Sequence, residues 1–388
     1  MSSMANEFLS GIDRDWSAER SVVLRYRNCL RFESSAGDDE ELKNLFLRTS
    51  ISEGLRIAPL LVYRDVEILV LDETSLMRTH TLKSIDGAVS IARSLQRGYR
   101  RIAFESGGNT GTALTVYGSR LGLETFLVVP SENLSLLDST DFADPNAHLI
   151  AVRDREHVKK VASELREREG LPKVPQPEWR LEASNFIGSF LLEAMLEGLR
   201  IDCLVQTISA AFAPIGIFRV LRQQRSELHR LPRFLGVQQA PNCPMYQVLK
   251  GDEAAGEVST GDQLLTRVMY DSTPQTYGTV DELRRILEET EGDLVLVDSR
   301  DFDRLLGGDF GGAGILDVLA AAGVDIFVRE GEIVETTGLL ALTGALKEIA
   351  AGRVAAGSRL LVCLTSGTGR PDGKAVPELW IEEEEEEG

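Results

Sequence analysis

The sequence predicts an α/β protein built on mostly parallel, twisted sheets. Three observations carry this. Short apolar runs of strand length alternate with segments whose apolar residues recur at helical spacing. Two of these runs break into loops of small and hydroxyl residues just before a helical segment, at 106–111 and 209–216. The clearest stretch, 102–130, reads strand, polar loop, helix, strand, a βαβ unit that requires a parallel sheet.

The bulk properties set limits. At 388 residues the chain can hold two domains or one large one, with ample core. A formal charge of -19 and a pI near 4.8 argue against nucleic acid or an anionic membrane as partner. Glu382 to Glu387 supply six of those charges and read as a solvated tail. An anionic ligand therefore needs a local basic pocket. Cys29, Cys203, Cys243 and Cys363 form no C-x-x-C pair, the four histidines have no zinc-like spacing, and no metal site is expected. With no signal-peptide pattern and no apolar run of bilayer length, a reduced, cytoplasmic protein is expected.

Taken in order, residues 1–20 are polar and carry little structural signal. Residues 22–26 predict a short strand and 38–47 a short helix. Residues 59–63 and 67–71 predict two strands of a hairpin turning at Arg64-Asp65. A helix over 82–97 buries Ile85, Val89 and Ala92. That puts Lys83 in its first turn, where a cation works against the helix dipole. In the βαβ unit, loop 106–111 falls beyond the carboxyl end of a strand, where parallel sheets bind ligands. Its three glycines admit a close backbone approach, and Ser106, Asn109 and Thr110 offer hydrogen bonds. The glycine spacing fits neither a dinucleotide fingerprint nor a phosphate loop ending in Gly-Lys-Ser/Thr. A plain strand-to-helix turn capped by Thr110 or Asn109 is the alternative.

Further on, 134–138 predicts a helix start, 148–152 a strand and 156–167 a charged helix. The proline-rich 171–177 reads as a domain crossing. A helix over 187–199, a strand over 203–207 and a helix over 217–228 follow. The loop 209–216 between the last two is a natural phosphate seat, because free backbone N–H groups point outward at a helix N-terminus. Residues 234–245 read as strand and loop, 282–289 as a helix, 294–297 as a strand and 315–322 as a helix. Gly-rich 307–314 predicts a surface loop or lid. A small-residue helix, 339–351, should pack closely under the sheet. A buried strand, 360–364, ends in hydroxyls and glycines at Thr365, Ser366, Gly367, Thr368 and Gly369.

Four of these pieces are similar to those of one family. Ser106-Gly107-Gly108-Asn109-Thr110-Gly111 resembles the asparagine loop of fold-type II pyridoxal-phosphate (PLP) enzymes, the group of threonine synthase, cysteate synthase and O-acetylserine sulfhydrylase. Thr79-His80-Thr81-Leu82-Lys83 lies where those enzymes carry Thr-Gly-Ser-Phe-Lys, and its distance to Asn109 is similar. The loop from Ser209 to Gly216 stands where relatives place Gly-x-Gly-Gly-x-x-x-Gly, but only Gly216 is kept and Phe212 replaces a glycine. The segment around Thr365 and Ser366 is similar to the family's Leu-Thr-Gly-His-Gly or Thr-Ser-Gly. His80 for glycine and Ser84-Ile85 for Asp-Arg depart from the pattern and suggest an altered substrate pocket.

The resemblance implies two three-layer domains with the cofactor in the cleft between them. Residues 1–87 with 176–380 would form the larger domain, 88–175 a smaller mobile one, and 381–388 a disordered acidic tail. It implies PLP as cofactor, joined to Lys83, which also acts as the base. Asn109 orients the ring, Ser366 faces the ring nitrogen with Thr365 as competitor, and Ser209, Ala210, Ala211, Phe212 and Ala213 hold the phosphate. Substrate contacts fall to Ser106, Gly107, Gly108 and Thr110, with Arg78 and His80 at a phosphate leaving group by charge. The implied reaction is β- or γ-replacement or elimination on an amino acid such as O-phospho-L-serine or O-phosphohomoserine, in a homodimer. Serine or threonine deamination is the alternative within the enzyme class. A PLP-fold scaffold that has lost catalysis is the alternative outside it.

Overall fold

Two mainly parallel sheets carry the architecture. The structure is a computed structural model, and it describes residues 3–30, 36–228, 230–251, 264–324, 328–329, 332–333, 336–366 and 375–381. The larger sheet orders β1 (Arg56–Tyr63), β2 (Val66–Asp72), β11 (Arg359–Leu364), β6 (Cys203–Thr207), β7 (Arg233–Gln239) and β8 (Asp293–Val297). Only β1 runs antiparallel, paired to β2 through the expected hairpin, with Arg64 and Asp65 both at positive φ. The smaller sheet orders β12 (Leu379–Ile381), β5 (Ala147–Val152), β4 (Glu124–Pro130) and β3 (Arg101–Glu105), all parallel. The short strands β9 (Val328–Arg329) and β10 (Glu332–Ile333) pair with each other. β6 is buried at every position and β2 at all but one, the pattern of strands covered on both faces.

Helices cover those faces. α4 (Lys83–Gln96), α5 (Asn109–Ser119), α7 (Pro177–Leu196) and α8 (Phe212–Gln223) pack on one another and share a continuous core with α1 (Ser3–Gly11), α2 (Val22–Tyr26) and α3 (Ala36–Thr49). α6 (Val158–Glu169) covers β3 and β4. The helix Thr337–Ala350 packs under β11, β6 and β7 as expected.

The structure corrects the sequence reading in three places. Residues 3–11, given no structure, form α1, whose Phe8 stacks on Tyr26. Residues 22–26, expected as a strand from their Val-Val pair, form α2: Ser21 Oγ accepts from Leu24 N at 3.2 Å, and burial of both valines overrides β-propensity. The segment 379–381, placed at the end of the larger domain and the start of the tail, adds β12 to the smaller sheet. Residues 307–314 form an exposed loop, the first of the two readings given for them; Phe310 packs on Tyr63 at the β1 edge, and none of the eight lines the cleft. The tail 382–388 and Gly367, Thr368 and Gly369 lie outside the described residues.

The N-terminal helices are fixed by a buried ion pair. Arg25 Nη2 and Nε donate to Glu193 of α7 at 2.5 and 2.9 Å, and Tyr26 Oη donates to the same carboxylate at 2.5 Å. Burial pushes the Glu193 carboxyl up, but the hydrogen bonds from Arg25 and Tyr26 outweigh it and hold it below its usual range.

Candidate active site

β2, β11 and β6 are parallel neighbours with Leu364 opposite Asp72, so their carboxyl ends open on one edge. Asp72 turns the chain there. Its Oδ1 accepts the Thr74 and Ser75 N–H groups at 3.0 and 2.9 Å, and Arg56 Nε donates to Oδ2 at 2.9 Å. The chain then returns along β11, with Leu82 N donating to Thr365 O at 3.0 Å and Thr81 bridged to Ser366. Lys83 follows as the first residue of α4, its N–H held by Thr81 Oγ1 at 2.8 Å.

Lys83 Nζ lies 3.1 Å from Asp86 Oδ2, and its side chain keeps 21 % of its surface exposed. Burial pulls its pKa down; the Asp86 charge resists and the Arg180 charge adds to the fall. Nearby, Glu73 is fully buried with neither carboxylate oxygen hydrogen-bonded among the described residues. Burial pushes it up to about 8, against the Lys83 charge.

The second wall comes from the smaller sheet. After β3, Ser106 Oγ accepts the N–H groups of Gly108 and Gly111 at 3.1 and 3.0 Å and so folds the loop on itself. Gly108 has φ 143°, a conformation open to glycine alone. Asn133 Nδ2 steadies the loop through Gly107 O at 2.8 Å. Asn109 opens α5, and its Nδ2 donates to Ser366 Oγ at 2.6 Å across the cleft.

The third wall is the loop after β6. Ala211 takes a left-handed conformation, φ 58° and ψ 21°, and caps α8 without a side-chain hydrogen bond. The N–H groups of the first turn thus lack intrahelical acceptors, and Pro214 contributes none. Gly216 does not line the cleft: a Cβ there would stand 2.3 Å from Ser184 Cβ, so this glycine lets α8 lie close on α7.

These walls enclose a cavity of about 220 Å³. Of the residues singled out in the sequence, Lys83, Ser106, Gly107, Asn109, Thr110, Ser209, Ala210, Ala211, Phe212, Ala213, Thr365 and Ser366 line it. Gly108, Arg78 and His80 do not. Arg78 turns instead to Asp141, 3.2 Å away. The lining also includes residues the sequence did not suggest, among them Gln206, Tyr270, Tyr277 and above all Arg180. Arg180 lies on α7, its guanidinium carbon 4.3 Å above the Phe212 ring and its Nε 3.6 Å from Asp86 Oδ2. Thr365 Oγ1, Gln206 Oε1 and Arg180 Nε are buried without a hydrogen bond among the described residues. The basic side chains of Arg180 and Lys173, an uncapped helix start and unpaired polar atoms suit an anionic ligand with a polar rim. No group of metal-ligating side chains occurs among the described residues, and none of their helices is long and apolar enough to cross a membrane.

Comparison with known proteins agrees with this arrangement. The profile of a family described as "Pyridoxal-phosphate dependent enzyme" matches residues 56–366. A threonine synthase of Methanosarcina acetivorans is 23 % identical over 296 residues, covering 74 % of this chain and 67 % of the relative. Among solved structures, O-ureido-L-serine synthase superposes with a TM-score of 0.61 at 18 % identity, covering 83 % of this chain and 91 % of that one. The T.th. threonine deaminase superposes at 0.58 and 17 % identity, with 86 % and 98 % covered. The two superpositions speak for a shared fold.

Proposed function

The chain belongs to the family of pyridoxal-phosphate dependent enzymes, with pyridoxal 5'-phosphate as its cofactor, and we propose that it catalyses β- or γ-replacement or elimination on an amino acid bearing a good leaving group. One observation carries the reading: a lysine whose burial favours the uncharged amine lines the same cavity as the asparagine loop and an uncapped helix start. The orphaned polar atoms around that cavity fit such a cofactor. The activities for which the relatives are named, threonine synthase, O-ureido-L-serine synthase and threonine deaminase, belong to amino-acid chemistry and support the class.

When bound, the cofactor supplies an electron sink for the substrate's α-carbon. The protein's share is positioning and proton transfer. Lys83 would hold the cofactor through its amine and, when free, would take the α-proton; a lowered pKa suits both tasks. Asp86, 3.1 Å from Nζ, keeps the amine aimed. Asn109 would hold one edge of the ring, and the hydroxyls of Thr365 and Ser366 would hold another. The Gly107 and Thr110 N–H groups would receive the substrate carboxylate. A homodimer goes with this reading, to be checked by light scattering.

The test is direct. Purified protein is incubated with PLP, reduced with borohydride and digested, and the modified peptide is located by mass. Modification at Lys83 that disappears in Lys83→Ala supports the reading; modification elsewhere, or none, overturns it. Release of phosphate from O-phospho-L-serine or O-phosphohomoserine, against ammonia from serine or threonine, then separates the substrate classes.

A further inference from the structure

We propose that Arg180 is the cation that seats the cofactor's 5'-phosphate, where this chain lacks the family's glycines. The inference rests on the reading that PLP is joined to Lys83 and adds a residue to it.

A phosphate monoester dianion needs several donors and a compensating charge. The loop before α8 keeps its amides but not its room. Ala210 and Ala211 carry Cβ atoms where glycines would let the backbone close in, Phe212 fills a further position, and Pro214 has no N–H. Neither these amides nor those of the first turn of α8 carry a full compensating charge. Phe212 provides a platform for one. Its ring, 4 % exposed as a residue, packs edge-on against Tyr277, with centroids 5.6 Å apart, and carries the Arg180 guanidinium at 4.3 Å. The cation is thereby held over the residue that opens α8, inside the cavity that Lys83 lines.

Arg180 also keeps donors to spare. Its Nε is buried without a hydrogen bond among the described residues, and its ion pair to Asp86 is a long one. Asp86 stands 3.6 Å away, outside hydrogen-bond range, and is itself closer to Lys83. A planar fork of N–H donors over a helix N-terminus is the geometry that grips a phosphate through two oxygens.

The experiment compares PLP with pyridoxal, which has the aldehyde but no phosphate. Apo wild-type protein and Arg180→Gln are titrated with each aldehyde by absorbance, with borohydride reduction and peptide mass locating the adduct. The expected result is that Arg180→Gln weakens PLP about tenfold or more while pyridoxal binding stays level. Arg180→Met, which keeps the apolar stem over Phe212, serves the same comparison where the glutamine variant does not fold. Inorganic phosphate is expected to raise the melting temperature of the apo wild type and to lose that effect in the variant. Equal loss for both aldehydes, or none for PLP, overturns the proposal. So does intact PLP binding with a raised KM for O-phospho-L-serine alone, which would assign Arg180 to the substrate's phosphate. A wild type that takes neither aldehyde on Lys83 removes the underlying reading instead.

Discussion

Asn109 Nδ2 donates to Ser366 Oγ at 2.6 Å, tying the start of α5 to the end of β11. Two residues expected at separate edges of one ring therefore satisfy each other. Thr365 stands beside them with a buried Oγ1 that has no hydrogen bond among the described residues. Its hydroxyl is ready for a ligand without any prior bond to break. Thr365→Val should weaken PLP about tenfold, the value of one buried hydrogen bond, with a smaller loss in Ser366→Ala. Titration of the apo variants checks this, and the reverse order would return the ring contact to Ser366.

Glu73 sets a pH dependence of stability. Its folded pKa, about 8, is raised above the unfolded carboxyl value by burial. The folded state then holds a proton the unfolded chain has released, so this group's contribution is full below about pH 4.3 and is lost as pH rises to the folded value. Lys83 acts the other way, since its lowered pKa makes stability grow with pH. Glu73→Gln should remove the carboxyl's downward slope and leave the apo protein more stable than wild type above pH 8. Urea unfolding of both proteins from acid to alkaline pH reads the difference; parallel curves would contradict it.

Gly216 governs how closely α7 and α8 approach. An alanine Cβ there would meet Ser184 Cβ at 2.3 Å and Leu181 O at 2.9 Å. The helical preference of alanine over glycine offsets part of the overpacking, leaving Gly216→Ala destabilised by about 1–2 kcal/mol. Because Arg180 rides on α7, the variant should also lose affinity for PLP while keeping it for pyridoxal. Thermal melts of the apo protein and the two-aldehyde titration measure the two effects separately.

Glu193 anchors the N-terminal helices. Its lowered folded pKa means the stabilisation is present above the unfolded value and lost as pH falls through the folded one. Glu193→Gln leaves the Arg25 charge, 14 % exposed, without its partner and should lower stability by about 2–3 kcal/mol near neutrality. The gap between variant and wild type should close in acid, as the wild-type carboxylate protonates. A constant gap across pH would show that packing, not charge, holds α2 to α7.

Much of the cleft could be read from sequence because its pieces are local strings. The turn into Lys83, the loop into Asn109 and the strand 203–207 each announce themselves within a few residues. What escaped was assembled through space. Arg180 fell in the neighbourhood of a proline-rich run taken for a linker, with the helix placed from residue 187. The structure starts α7 at Pro177, a proline in the first helical position with Glu178 in the first turn, and that pair was the available signal. Nothing local shows that Arg180 reaches across to Phe212, since a charged residue on a helix ordinarily faces water. Three residues, 379–381, are too few to display the alternation of a strand, so β12 was equally hidden.

That last strand has a mechanical consequence. α4 leads from Lys83 towards β3 at one margin of the smaller sheet, while the chain beyond Ser366 runs to β12 at the opposite margin. The panel carrying Asn109 is thus moored on both flanks to segments that carry the lysine and the terminal hydroxyls. A swing about a single hinge would pull on both moorings at once.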